Sequence, residues 1–194
     1  MPTQSDSDIK IYGKCLDDTD TSDLLEAAEY LNRQRRNGNI AKAKTLGETL
    51  AALDPENENG ITLVDLAPHP PAVSPAILTQ IRSLIVFLAQ TALHKRLGIQ
   101  LLSSCAVNAM YDKLVEIAPD FYNDICDGAA FTFYSLSLKE EDAHLDIGRH
   151  FAMLCGMEGK KEKEAYISFG SDIYRNGGQI IDDIIDATKF KSID

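Results

Sequence analysis

From Ser74 to Gly98 the chain reads SPAILTQIRSLIVFLAQTALHKRLG, and no other stretch restricts its fold so strongly. Ser74 suits a helix N-cap, and Pro75 falls at the first helical position, where its missing N–H costs no intrahelical bond. Ile77, Ile81, Leu84, Leu88 and Ala92 recur at helical spacing, with Ile85, Ala89 and Leu93 beside them. Val86 and Phe87 add apolar atoms on the opposite side, so the middle of the helix is apolar nearly all round. Such a helix is stable when most of its circumference is covered by other elements. His94, Lys95 and Arg96 complement the negative end of the helix dipole, and Gly98 can take the left-handed cap conformation. Gln80, Arg82 and Gln90 interrupt the apolar run and argue against a membrane span. The expected fold is all-α, built round this helix.

Composition enters where function classes are to be excluded. A net charge of -11 disfavours nucleic acid and anionic membranes as partners, because both are polyanions. Content that is 44% hydrophobic and 25% charged fits a globular chain of 194 residues with one sizeable core. No basic segment followed by an apolar run opens the sequence, so a cytoplasmic protein is expected. Cys15, Cys105, Cys126 and Cys155 show no CxxC or CxxH spacing, and the last three are read as reduced residues in apolar helical surroundings.

The remaining chain divides into four parts. Residues 1–20 read as a mobile acidic tail in which Ile9, Ile11 and Tyr12 are the apolar exceptions. A helical hairpin is expected over 21–53. Its first helix starts near Ser22 or Asp23, where Asp23 and Glu26 have capping-box spacing, and carries Leu24, Leu25, Ala28 and Leu31 on its apolar face. Asn37-Gly38 ends that helix, and a second runs from about Ile40 to Leu53. Residues 54–73, with four prolines and a glycine among them, form a linker. A helical bundle then fills 74–190, packed with the hairpin as one globular unit. Within the bundle, helices are expected from about Ile99 to Ala118, from Asp120 to about Leu136, and from Ser137 to Cys155. The last of these rests on the capping-box spacing of Ser137 and Glu140, with Gly156 and Gly159 as its stop. A final helical region over 160–190 should break at Asn176-Gly177-Gly178.

The run NGNIAKAKTLGETLAALDPEN resembles the second half of a tetratricopeptide repeat, with Gly38, Ala43 and Pro55 at the positions of the turn glycine, the small residue and the closing proline. It departs from that pattern at Gly47, where an aromatic is usual, and at Leu50, where a small residue is. A second partial likeness, MYDKLVEIAPDF, supplies Tyr111 and Pro119. No period of about 34 residues connects the two, so the resemblance implies helix-pair architecture over 23–56.

Chemistry has few places to reside. Gln179 to Asp186, QIIDDIID, resembles the second aspartate-rich motif of the trans-prenyl diphosphate synthases. That resemblance implies magnesium held by Asp182, Asp183 and Asp186 against a substrate diphosphate. A facing acidic motif on an earlier helix is missing, and the upstream acidic run, Asp17-Asp18-Thr19-Asp20, lies in the polar tail. The bland reading is an amphipathic helix with Ile180, Ile181, Ile184 and Ile185 inward and the acids in solvent. Glu141 and His144 form one Glu-x-x-His, of which a di-iron bundle requires two, so His144 is read as half-buried on a stripe with Ile147, Phe151 and Leu154. His150 follows Asp146 by four residues, as in a surface pair. No Walker loop, GxGxxG, HExxH or GxSxG is present. The cationic run Arg33, Arg35, Arg36, Lys42 and Lys44 stands out in an acidic protein and is the candidate partner site.

These features are read first as a non-catalytic helical interaction or adapter protein that needs no cofactor and takes a protein or peptide partner. The alternatives are a magnesium-dependent enzyme acting on a diphosphate through Asp182, Asp183 and Asp186, or a bundle that binds a small molecule in a cavity lined by Phe131, Phe133, Tyr134, Phe151, Tyr166 and Phe169.

Overall fold

The computed structural model describes residues 18–57, 60–98 and 100–192, apart from the side chains of residues 18–24, 126 and 127. Among the described residues every regular element is helical and there is no strand. In chain order these are α1 (Asp18–Arg36), α2 (Asn39–Ala51), the single turn α3 (Leu63–Leu66), α4 (Pro75–Arg96), α5 (Gln100–Ile117), α6 (Pro119–Asp127), α7 (Ala130–Ser137), α8 (Ala143–Leu154), α9 (Lys163–Asp172) and α10 (Gly178–Ala187). A π-helical turn, Ile173–Gly177, joins α9 to α10.

Helix α4 forms as its sequence dictates. Ser74 Oγ accepts the N–H of Ile77, Pro75 occupies the first turn, and Gly98 has a φ of 57°. By length and composition this helix is able to cross a bilayer, yet here most of it is enclosed by protein. Ile81, Leu84, Ile85 and Leu93 are among the most deeply buried side chains of the chain. Arg82 is not wasted in that setting: its guanidinium meets Asp54 and Glu56, each at 2.8 Å, and fastens α4 to the exit of α2.

Two close helix crossings flank α4, and glycine makes each of them. A Cβ on Gly47 of α2 would lie 2.1 Å from the carbonyl oxygen of Ala106 in α5. On the other side, a Cβ on Gly148 of α8 would lie 2.3 Å from Ile167 O of α9, and one on Gly170 of α9 2.7 Å from Phe151 Cβ. The aromatic that a tetratricopeptide helix carries at position 47 has no room here. Helix α2 accordingly packs much more extensively on α5 than on α1.

Several boundaries differ from the sequence expectation. Helix α1 begins at Asp18, so it already passes through the expected start at Ser22–Asp23. Residues 1–17, including Cys15 and the Ile9–Tyr12 patch, lie outside the described residues. The linker contains α3, whose N-cap Thr62 accepts the N–H of Asp65 while Asp65 accepts that of Thr62. The helix expected over 120–136 is two helices, α6 and α7, parted at Gly128-Ala129. Ser137 caps nothing: it ends α7 and donates its hydroxyl hydrogen to Phe133 O at 3.1 Å. The expected break at 176–178 is absent, because the chain stays helical through the π turn. Asn176 Nδ2 donates to Leu66 O at 2.9 Å, and Gly177 lies against Leu66 and Leu88, which holds the turn from outside.

Replacing Leu84 by Ala should destabilise the protein by about 2–5 kcal/mol in urea unfolding, the cost of a cavity in a fully packed site. A loss under about half a kcal/mol would remove α4 from the centre of the core.

Candidate functional site

The hairpin of α1 and α2 turns at Gly38, whose φ of 84° suits glycine. Arg33, Arg35 and Arg36 lie in the last turn of α1, where cations complement the dipole, and all three are exposed. Upstream on the same helix Leu25 remains 63% exposed and Ala28 is exposed too, while the side chain of Leu24 lies outside the described ones. Leu31 is half-buried.

Beneath this cationic edge lies a polar arrangement that sequence reasoning missed. Gln34 and Asn39 are fully buried. Gln34 Nε2 donates to Tyr30 Oη at 2.8 Å, and Gln34 Oε1 accepts from Asn39 Nδ2 at 2.8 Å. Asn39 Nδ2 also donates to Lys191 O at 2.8 Å, and Asn39 Oδ1 accepts the N–H of Lys191 at 2.9 Å. The segment after α10 is thus tied to the start of α2. The only local signal was a pair of amides beside a glycine turn, and their partner is 152 residues away.

The five cations of the candidate partner site do not act as one patch. Lys42 Nζ donates to Lys189 O at 2.6 Å, so it belongs to the docked C-terminal segment. Lys44 faces the other way, into a groove of ≈ 410 Å³ between α2 and α5 that also holds Glu48, Cys105, Asp112 and Glu116. Arg33, Arg35 and Arg36 make no ion pair among the described residues. The other four arginines, Arg82, Arg96, Arg149 and Arg175, each meet a carboxylate.

The acidic motif of α10 is spent on neighbours. Asp186 pairs with Arg96 of α4, Asp182 lies 4.0 Å from the same guanidinium, and Asp183 accepts from Gln179 at 2.8 Å. Ile181 and Ile185 are buried beside them, Ile180 and Ile184 half-buried. Glu141 is exposed in the loop before α8, while His144 is half-buried in the first turn of that helix, so the two do not share a helical face. Among the described residues no three His, Cys, Asp or Glu side chains gather closely enough to hold a metal ion.

His150 does not pair with Asp146, which meets Arg149 at 2.6 Å. Its ring stacks on Phe133 with centroids 5.3 Å apart, and its Nδ1 lies 2.7 Å from Ser137 Oγ. The Ser137 hydroxyl thus lies within hydrogen-bond distance of both Phe133 O and His150 Nδ1. Ser137 is buried, which denies it a substrate and makes the pair a packing contact. Burial pushes the Cys155 thiol up to about 12, so it carries no thiolate at neutral pH.

The aromatics proposed as a cavity lining pack largely against each other and the core. Phe151 and Phe169 meet edge to face at 5.8 Å, Phe87 meets both Phe131 and Tyr134, and Tyr134, Phe151, Tyr166 and Phe169 are buried. A groove of ≈ 470 Å³ runs along α4 and α10 past the π turn, with Leu88, Tyr174, Lys95 and Asp182 on its walls. No protein-family model, no curated protein and no solved structure matches this chain.

Titration calorimetry with magnesium, alone and with inorganic pyrophosphate, should give no binding heat, because Asp182 and Asp186 already neutralise Arg96. Micromolar binding that disappears in Asp182→Ala would contradict this assignment.

Proposed function

We propose that this chain is a non-catalytic helical interaction protein whose α1–α2 hairpin receives an acidic segment of a partner protein. One contrast carries the reading: four arginines meet carboxylates, while Arg33, Arg35 and Arg36 keep theirs unpaired among the described residues of an acidic chain. Arg33 and Arg36 are three apart on one side of α1, with Arg35 further round its exposed surface, so this end of the helix carries uncompensated positive charge that carboxylates from outside can neutralise. The exposed stripe at Leu25 and Ala28 adds apolar surface on the same helix, which suits a partner segment mixing acids with apolar residues.

The metal-dependent enzyme draws less support, since the carboxylates that would bind magnesium already face Arg96. The small-molecule bundle draws less support too, since most of the aromatics expected to line its cavity pack into the core.

A fluorescein-labelled hexaglutamate peptide, followed by anisotropy, tests the leading reading. Each exposed ion pair is worth about 0.2–1 kcal/mol, so three together are worth about 0.6–3 kcal/mol, and reversing all three charges should weaken binding by at least roughly threefold at low salt. Binding should also fall steeply as sodium chloride rises toward 0.3 M, as screening requires. Equal affinity in wild type and in the Arg33→Glu, Arg35→Glu, Arg36→Glu variant would overturn the assignment, as would equal affinity for hexalysine.

A further inference from the structure

The α1–α2 turn holds part of its own chain as a receptor holds a peptide. Asn39 exchanges a donor and an acceptor with the main chain of Lys191, the pattern by which neighbouring β-strands pair. Such a contact reads backbone and is indifferent to the side chain at that position. Gln34 Oε1 takes the remaining N–H of the Asn39 amide and fixes its orientation, and Lys42 Nζ engages Lys189 O one turn further along α2. Both amides are fully buried, so they require hydrogen-bond partners, and for Asn39 the main chain of Lys191 is one of them.

Two features make the present occupant replaceable. Lys189 follows the end of α10 with a φ of 48°, a left-handed conformation that favours glycine and strains a lysine. The segment also brings Lys189 and Lys191 to a hairpin that already holds Arg33, Arg35, Arg36 and Lys42. The backbone contacts favour any extended chain, and the charges favour an acidic one.

We propose that Lys189–Lys191 is a built-in occupant of a main-chain receptor formed by Gln34, Asn39 and Lys42, and that an acidic partner segment binds by displacing it. This rests on the reading of the hairpin as a site for acidic segments and adds its regulation. While the segment is docked, only the undocked fraction of molecules is competent, and the apparent affinity falls by that fraction.

The test compares full-length wild type with Lys191→Pro, which lacks the N–H given to Asn39 Oδ1, using the labelled hexaglutamate probe. Lys191→Pro should bind at least tenfold more tightly. Phe190→Ala, which removes a half-buried ring that anchors the segment, should shift affinity in the same direction. Asn39→Ala also releases the segment but destroys the receptor, so it should bind no more tightly than wild type. Equal affinity in wild type, Lys191→Pro and Phe190→Ala, with binding still lost on reversing the three arginines, would overturn the latch alone. Absence of binding in every form would overturn both the latch and the acidic-segment reading beneath it.

Discussion

Where α2 crosses α5 the backbones leave no space for a side chain at residue 47. Glycine within a helix costs about 0.5–1 kcal/mol relative to alanine, so the crossing must return more than that through contact. It does so by bringing Ala43, Leu46 and Leu50 of α2 into the same core as Leu102, Ala106 and Met110 of α5. The consequence reaches the candidate site. Helix α2 spends its apolar face on the bundle, and among the described residues it packs far less on α1, whose Leu25 is exposed. Among the described residues the cationic edge at Arg33, Arg35 and Arg36 is exposed.

Charge is distributed in the same spirit. The protein is acidic, and its carboxylates neutralise Arg82, Arg96, Arg149 and Arg175 within the body. The ties of Arg82 to Asp54 and Glu56 position the hairpin on α4, and those of Arg96 fix α10 on the far end of the same helix. Glu56 and Asp186 are well exposed, so these pairs add less to stability than to placement. The docked segment after α10 closes the circuit from the C-terminal helix back to the hairpin through Asn39.

Local signals in the sequence were reliable where the residues that decide an element lie inside it. Ser74-Pro75, the apolar run and Gly98 define α4 without help, and α2 follows from Gly38 and its apolar spacing. They misled where a distant partner decides. Ser137 and Glu140 have the spacing of a capping box, but the Ser137 hydroxyl turns back to Phe133 and meets His150. Gly177-Gly178 reads as a break, yet contacts from Leu66 and Leu88 keep the chain helical. The arginines were legible as a charge run, whereas their separation from Lys42 and Lys44 depends on which face of α2 meets α5 and which meets the returning segment. Gln34 and Asn39 carried no sequence signal strong enough to reveal a receptor for main chain.

Equilibrium unfolding of Gly47→Ala addresses the central claim, that one glycine-dependent crossing anchors the hairpin to the bundle. The added methyl group meets the Ala106 carbonyl and the Met110 backbone N, which belong to helix backbone and cannot swing aside. In urea the variant should lose about 1–3 kcal/mol, overpacking outweighing the better helix propensity of alanine. A variant as stable as wild type, or stabilised by the fraction of a kcal/mol that Gly-to-Ala replacement brings to an open helix, would contradict the crossing and the support it gives to the hairpin.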